Sequence, residues 1–261
     1  MAEITAAMVK ALRDETSQGM MECKKALQEA NGDLEAAKDL LRKKGLVKAE
    51  KKADRVTSEG QIVIKKLDDA AVMVEARCET DFCARNDEFQ AMLAKLIDQA
   101  VLQPAGPIAA TDAMTDAVQA ALAKIGENMS FARGIKIAAP RIGTYLHHNK
   151  KVGVVVGVDG EVSDETLSDL CMHIAFADPM GISSDDIPAE LVEKEKAFAK
   201  QEAIDSGKPE EIAEKMVTGK VKKYLAANAL MEQKFVHDEK KTVKEVLGGV
   251  NVTAFVRYSL G

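Results

Sequence analysis

Tryptophan is absent from this 261-residue chain, and aromatic residues of all kinds make up only 4% of it. A core with so few rings has to be filled by Ala, Val, Ile, Leu and the 12 Met, so a deep aromatic ligand pocket is not expected. No stretch reads as a membrane span. The longest uninterrupted run of apolar residues and glycine is VGVVVGV at 152–158, far below the ~20 residues a bilayer requires. The N-terminal MAEITAAMVK holds an acid and no long apolar core, unlike a secretory or Arg-rich transit segment, and this predicts a cytoplasmic protein.

Cysteine occurs at Cys23, Cys78, Cys83 and Cys171, too sparsely for a disulfide scaffold, so reduced thiols are expected. Cys78 and Cys83 are spaced too widely for a C-x-x-C redox pair. Cys171 with His173 makes only a C-x-H, which leaves a zinc ion without ligands. The patterns G-x-x-x-x-G-K-[ST], G-x-S-x-G and H-E-x-x-H do not occur, and the glycines of VGVVVGVDG lack the spacing of a dinucleotide loop. No cofactor, metal or nucleotide bound by the chain itself is therefore expected. A thiol enzyme would have to use Cys78 or Cys83, and nothing local marks either as activated.

Positive charge is in deficit, with 36 Lys+Arg against 42 Asp+Glu and a net charge of −6. Direct nucleic-acid binding, which neutralises phosphates with basic side chains, is disfavoured. The local exception is RKKGLVKAEKKADR at 42–55, a solvated helix end and linker that also offers steering toward an acidic partner.

The chain does contain clear helical and strand patterns. Residues 1–45 read as three short helices, with Thr5 capping the first, Asn31 and Gly32 ending the second, Asp33 capping the third and Gly45 terminating it. From residue 56 the period changes to that of strands. QIVIKKL, a turn at Asp68 and Asp69, and AAVMVEARC predict a β-hairpin with Val72, Val74 and Ala76 on one face and Met73, Glu75 and Arg77 on the other. Helices over about 86–102 and 112–124 and a strand in FARGIKIAA follow. RIGTYLH, a polar turn, VGVVVGV and a helix near 164–177 repeat the order, and VTAFVRYSL closes it. His147 and His148, adjacent on a strand, would point to opposite faces.

Two further helical stretches, joined by SGKP, predict an inserted antiparallel hairpin. In it Leu191, Phe198 and Ile204 meet Ile212, Met216 and Val221, and at ~1.5 Å per residue it projects roughly 25 Å. The expected fold class is α+β. It comprises a three-helix UBA-like N-terminal domain (1–54), a duplicated α+β core with antiparallel sheets (55–140, and 141–180 with 227–261) and the helical-hairpin module (181–226).

CETDFCARNDEF at 78–89 stands out. Thr80 or Asp81 can cap the following helix with Phe82 buried at its start, a purely structural role. Alternatively, a strand-to-helix corner presents an acid and an aromatic side by side, which is what wedging open a partner requires.

LRDETSQGMMECKKALQEANGD (12–33) and EARCETDFCARNDEF (75–89) resemble the two signature segments of the bacterial translation elongation factor Ts family. The likeness continues through AKIGEN (123–128), GTYLH (143–147), SGKPEEIAEKMV (206–217) and KFVHDEKKTVKEVL (234–247). It implies a guanine-nucleotide exchange factor that binds elongation factor Tu, the GTPase that carries aminoacyl-tRNA. Such a factor promotes GDP release by disturbing the GTPase's Mg²⁺/phosphate site, with no bond-making chemistry of its own. By position, Asp81 and Phe82 would be the intruding pair, flanked by Thr80 and Cys83. Lys24, Ile125, Gly126 and His147 would contact the nucleotide domain, and Val236 and His237 would touch the GTPase elsewhere. Cys83 stands where the family often has Val, and His237 where some members have Met. A homodimer or a 2:2 assembly with the GTPase stays open, as does a binding scaffold without exchange activity.

Overall fold

The computed structural model describes residues 4–16, 18–50, 52, 54–207 and 209–260. Residues 51 and 53 of the basic run, Ser17 of the first break and Lys208 of the SGKP joint lie outside the described residues. The chain divides into two compact units. One takes the residues up to Val63 with Val74–Gly134 and Leu260; the other takes Ile64–Met73 and Ile135–Ser259.

The first unit begins with α1 (Ala6–Thr16), α2 (Met20–Glu29) and α3 (Leu34–Glu50). The Thr5 hydroxyl accepts from the Met8 N–H at 3.3 Å, and Asp33 accepts from the Ala36 N–H at 3.0 Å. Between α2 and α3 the chain reverses through Asn31 and Gly32, both at positive φ, where glycine avoids a side-chain clash. Val9, Leu12, Cys23, Ala26, Leu27, Ala37 and Leu41 close a small core. Gly45, expected to end α3, lies inside it instead. Glycine costs only ~1 kcal/mol in a helix, and α3 is supported from outside. A Cβ at Gly45 would lie 3.9 Å from Ala123 of a later helix, and Arg42 pairs with Asp116 of that helix at 3.2 Å.

A four-stranded sheet follows, built from β1 (Glu59–Lys66), β2 (Ala70–Cys78), β3 (Gly106–Pro107) and β4 (Met129–Ala138) in the order β1-β2-β4-β3. Its helices are α4 (Asp81–Arg85), α5 (Asp87–Val101) and α6 (Asp112–Ile125). The α5 stripe of Phe89, Met92, Leu93, Leu96 and Ile97 is buried, as its spacing predicts. Both faces of β2 are hidden, since Met73 and Glu75 are buried along with Val72, Val74 and Ala76. A central strand covered on both sides hides both alternating sets. The Glu75 carboxylate is tolerated there because the half-exposed guanidinium groups of Arg77 and Arg133 each donate to it at 2.7 Å.

The second unit holds an antiparallel sheet of β5 (Arg141–Leu146), β6 (Val152–Val158) and β9 (Val252–Ser259), in the order β5-β6-β9, with α7 (Asp164–Ala177) packed on β5 and β6. In both sheets a late strand, β4 or β9, lies beside the second strand of the opening hairpin. Between α7 and β9 the chain forms α8 (Ala189–Asp205), α9 (Glu210–Asn228), β7 (Lys234–Phe235), β8 (Asp238–Thr242) and α10 (Val243–Leu247). α8 and α9 pack on each other, Lys220 pairs with Glu202, and Gly181 before α8 bridges to Ala229 after α9. Of the apolar residues expected to meet there, Leu191, Met216 and Val221 are half-buried, while Phe198, Ile204 and Ile212 are exposed. Ala199 and Ala203 are the buried residues of α8, whereas Phe198 is 66% and Ile204 58% exposed. Small side chains let two helices approach closely, and the larger ones stay outside.

His173 of α7 is buried against Phe235, its Nε2 within 2.9 Å of Gln233 Oε1, while its Nδ1 accepts from the Val236 N–H at 3.3 Å. Burial pushes its pKa below the ordinary 6.5, with the nearby His237 acting in the same direction and the Gln233 bond opposing. The neutral ring is therefore the folded form. As pH falls through 6.5 the unfolded chain gains a proton that the folded one resists, so stability drops on acidification. Urea titrations between pH 7.5 and 5.5 should show the advantage of the parent over His173→Gln shrinking as the pH falls; a constant difference would contradict a neutral buried ring. Gly143 is constrained by space. A Cβ there would lie 2.7 Å from Cys171 Sγ, 2.8 Å from Leu167 Cγ and 2.9 Å from Val156 Cγ1. Gly143→Ala should lower stability by about 1–3 kcal/mol in the same titration, the usual range for overpacking.

Candidate functional site

β2 ends at Cys78, and after Glu79 and Thr80 the chain enters α4 directly. Thr80 has extended backbone angles and its hydroxyl accepts from the Cys83 N–H at 3.1 Å, so Thr80, not Asp81, is the cap. Asp81 and Phe82 occupy the first turn. Asp81 pairs with Arg85 one turn on at 3.0 Å. Phe82 is 80% exposed, among the most exposed large apolar side chains of the chain, and not the buried helix-start residue of the structural reading. Ala84 and Cys83, by contrast, face inward. At Asn86 the backbone leaves the helix and its side chain caps α5, so two short helices replace a continuous one.

The corner rests on the loop after α6. α6 ends at Gly126, whose φ of 85° suits glycine and whose N–H bonds to Leu122 O at 2.8 Å. The next residue, Glu127, accepts the Thr80 N–H at 3.1 Å and the Thr80 hydroxyl at 2.9 Å. Asn128 returns the contact by donating its N–H to Glu79, which holds the Glu79 carboxyl below its ordinary range, helped by Arg55. Beneath the corner, the Cys78 thiol donates to the Thr80 carbonyl at 3.2 Å. Desolvation pushes the Cys78 pKa up to about 11 and raises that of Cys83 further. Thiolate is scarce at neutral pH at both positions, so neither sulfur is an activated nucleophile.

Thr80, Asp81, Phe82 and Cys83 are thus gathered in one turn, and Ile125 and Gly126 stand at the helix end whose next residue grips that turn. Lys24 lies apart on α2, exposed beside the buried Cys23. The remaining three belong to the second unit. β5 stops at Leu146, so His147 and His148 lie in the following turn and their rings come within 4.2 Å, instead of diverging as neighbours on a strand would. His147 also bonds to the Tyr145 hydroxyl at 2.7 Å. Val236 is 38% exposed at the β7–β8 turn, and His237 lies 3.7 Å from Asp169.

The sequence reading passed over Glu127, though it directly follows the Ile125 and Gly126 it singled out. It also passed over Phe176 on α7, 81% exposed beside Val236 in a cleft lined by His173 and Phe235. Helical spacing places Phe176 off the buried stripe, the one available signal. Among the described residues no cluster of His, Cys, Asp and Glu is arranged to hold a metal ion, and no helix is long and apolar enough to cross a membrane.

Comparison with known proteins shows the family. A family profile described as Elongation factor TS matches residues 79–261, from the corner onward. The chain is 44% identical to Elongation factor Ts of Thioalkalivibrio sulfidiphilus over 99% of its own length and 92% of that protein. It is 44% identical to Elongation factor Ts of Aliivibrio fischeri over 100% and 92%, and 42% identical to that of Nitratiruptor sp. over 99% and 93%. With a profile match over most of the sequence and identity of this order from end to end, the chain belongs to the elongation factor Ts family.

Proposed function

We propose that the chain is a guanine-nucleotide exchange factor for the GTPase elongation factor Tu and acts in translation elongation in the cytoplasm. On this reading it pushes the Asp81–Phe82 corner into the GTPase near its Mg²⁺ and phosphate site. The observation that carries the reading is Phe82, a ring held in solvent at the tip of a braced strand-to-helix corner. Exposing a Phe forgoes the burial that normally stabilises it, which makes sense where the ring is buried in a partner. Lys24, Ile125, Gly126 and His147 would add contacts to the nucleotide domain, and Val236 and His237 a contact elsewhere. The three-helix region would be a UBA-like partner-binding domain, and α8 with α9 a protruding hairpin used for contact. The same reading keeps the four domains expected from the sequence.

Exchange of this kind makes no bond. The factor binds the nucleotide-free GTPase better than the nucleotide-bound one, and because coupling is reciprocal, rebinding nucleotide expels the factor. A thousandfold faster release lowers the barrier by about 4 kcal/mol, whereas burying one Phe contributes about 1.5–3 kcal/mol. Phe82 therefore acts with the other contacts, which hold the corner in place while the ring displaces a helix of the partner and disturbs its Mg²⁺ ligands.

Phe82→Ala should melt like the parent, since the ring packs on little of its own chain, and should slow release of a fluorescent GDP analogue from elongation factor Tu by about tenfold or more. Unchanged release would reject the wedge. Iodoacetamide should label the four buried thiols far more slowly in the native chain than in urea, and exchange should survive the native treatment. Rapid native labelling of Cys78 or Cys83 with loss of activity would instead favour a thiol mechanism.

A further inference from the structure

We propose that Glu127 is the positioning residue of the corner: its carboxylate, bonded to both the N–H and the hydroxyl of Thr80, sets the direction in which Asp81 and Phe82 project. The proposal rests on the exchange reading above and goes beyond it by naming a residue that would not itself touch the partner.

α4 spans only Asp81–Arg85, too short to hold its own geometry, since an isolated helix needs several turns to offset the cost of its nucleus. Its orientation depends on the cap. Thr80 has one hydroxyl proton, and giving it to Glu127 turns an oxygen lone pair toward the Cys83 N–H, the bond that starts the helix. The Thr80 N–H donates to the same carboxylate, so backbone and side chain of the cap are both tied to one group 47 residues away. The reciprocal bond from the Asn128 N–H to Glu79 makes the contact a two-way clasp, and Lys52 steadies the loop by donating to the Gly126 carbonyl. Hydrogen bonds to a carboxylate are about twice as strong as neutral ones, and two donors of one residue, the Thr80 N–H and hydroxyl, converge here. The clasp is half-buried and lies outside the apolar core, so removing the carboxylate should loosen the corner without opening a cavity in the core.

The test uses the full chain and measures release of a fluorescent GDP analogue from elongation factor Tu over a range of factor concentrations. Glu127→Ala should reduce the maximal release rate about tenfold while the half-saturating concentration changes less than about twofold, because the other contacts persist. Glu127→Gln, which keeps one carbonyl acceptor, should fall between the parent and Glu127→Ala, about threefold slower than the parent. Combining Glu127→Ala with Thr80→Val should cost less than the product of the two single losses, because the two changes share the hydroxyl–carboxylate bond. A full maximal rate in Glu127→Ala, losses that multiply in the double variant, or a change confined to half-saturation would each overturn the proposal. If the Ala variant does not fold, Glu127→Gln decides: about threefold slower at saturation, with half-saturation unchanged, supports the proposal, and no slowing overturns it. A parent chain that fails to accelerate release sinks the exchange reading itself, a result distinct from an active parent with an indifferent Glu127.

Discussion

The bonds between Glu127 and Thr80 join two segments far apart in sequence, and the geometry of the exposed corner depends on them. A five-residue helix carrying an uncovered ring gains little by itself. It forms where it does because β2 delivers the chain at a fixed angle, Thr80 caps it, and the loop after α6 accepts what Thr80 has to donate. β2 can be that rigid base because both of its faces are covered, even at the cost of enclosing Glu75, whose charge is met by Arg77 and Arg133. The polar network around the corner thus orients the ring and the apolar network beneath it resists displacement.

The charges near the corner are mostly satisfied within the chain. Asp81 leans on Arg85, Glu79 on Arg55 and the Asn128 N–H, and Glu127 on Thr80. Exposed pairs such as Asp81–Arg85 are weak and can re-pair at little cost, whereas the half-buried bonds of Glu79 and Glu127 are harder to exchange. That gradient suits a surface whose tip meets another molecule while its base stays fixed. Both cysteines at the base are buried and hold their protons, which makes them packing residues of this corner.

The second unit reaches order by a different route. Its sheet is nearly all valine and glycine at the centre, so close approach of α7 replaces bulk, and Gly143 leaves the room that Cys171 and Leu167 occupy. His173 is the polar exception, and its two nitrogens are spent on Gln233 and the Val236 backbone, which ties the β7–β8 turn to α7. The α8–α9 pair is thinner still. Held by alanines, it leaves Phe198, Ile204 and Ile212 in solvent.

Most helices and strands were legible in the residues, because period and caps are local: the α5 stripe, the Thr5 and Asp33 caps and the strands of both hairpins follow from spacing alone. The glycine at 45 misled because its neighbour in space, Ala123, comes from a helix far along the chain. Likewise the sequence marked Asp81 and Phe82 as unusual but left open whether the ring was core or surface, since one turn of helix offers both sides. Sequence by itself determined the α+β class and the family, and it singled out the 78–89 segment, all from short-range pattern. Only the tertiary structure decided that Phe82 faces outward and that Glu127 holds its base, because exposure and long-range hydrogen bonds depend on which distant segments the fold brings together.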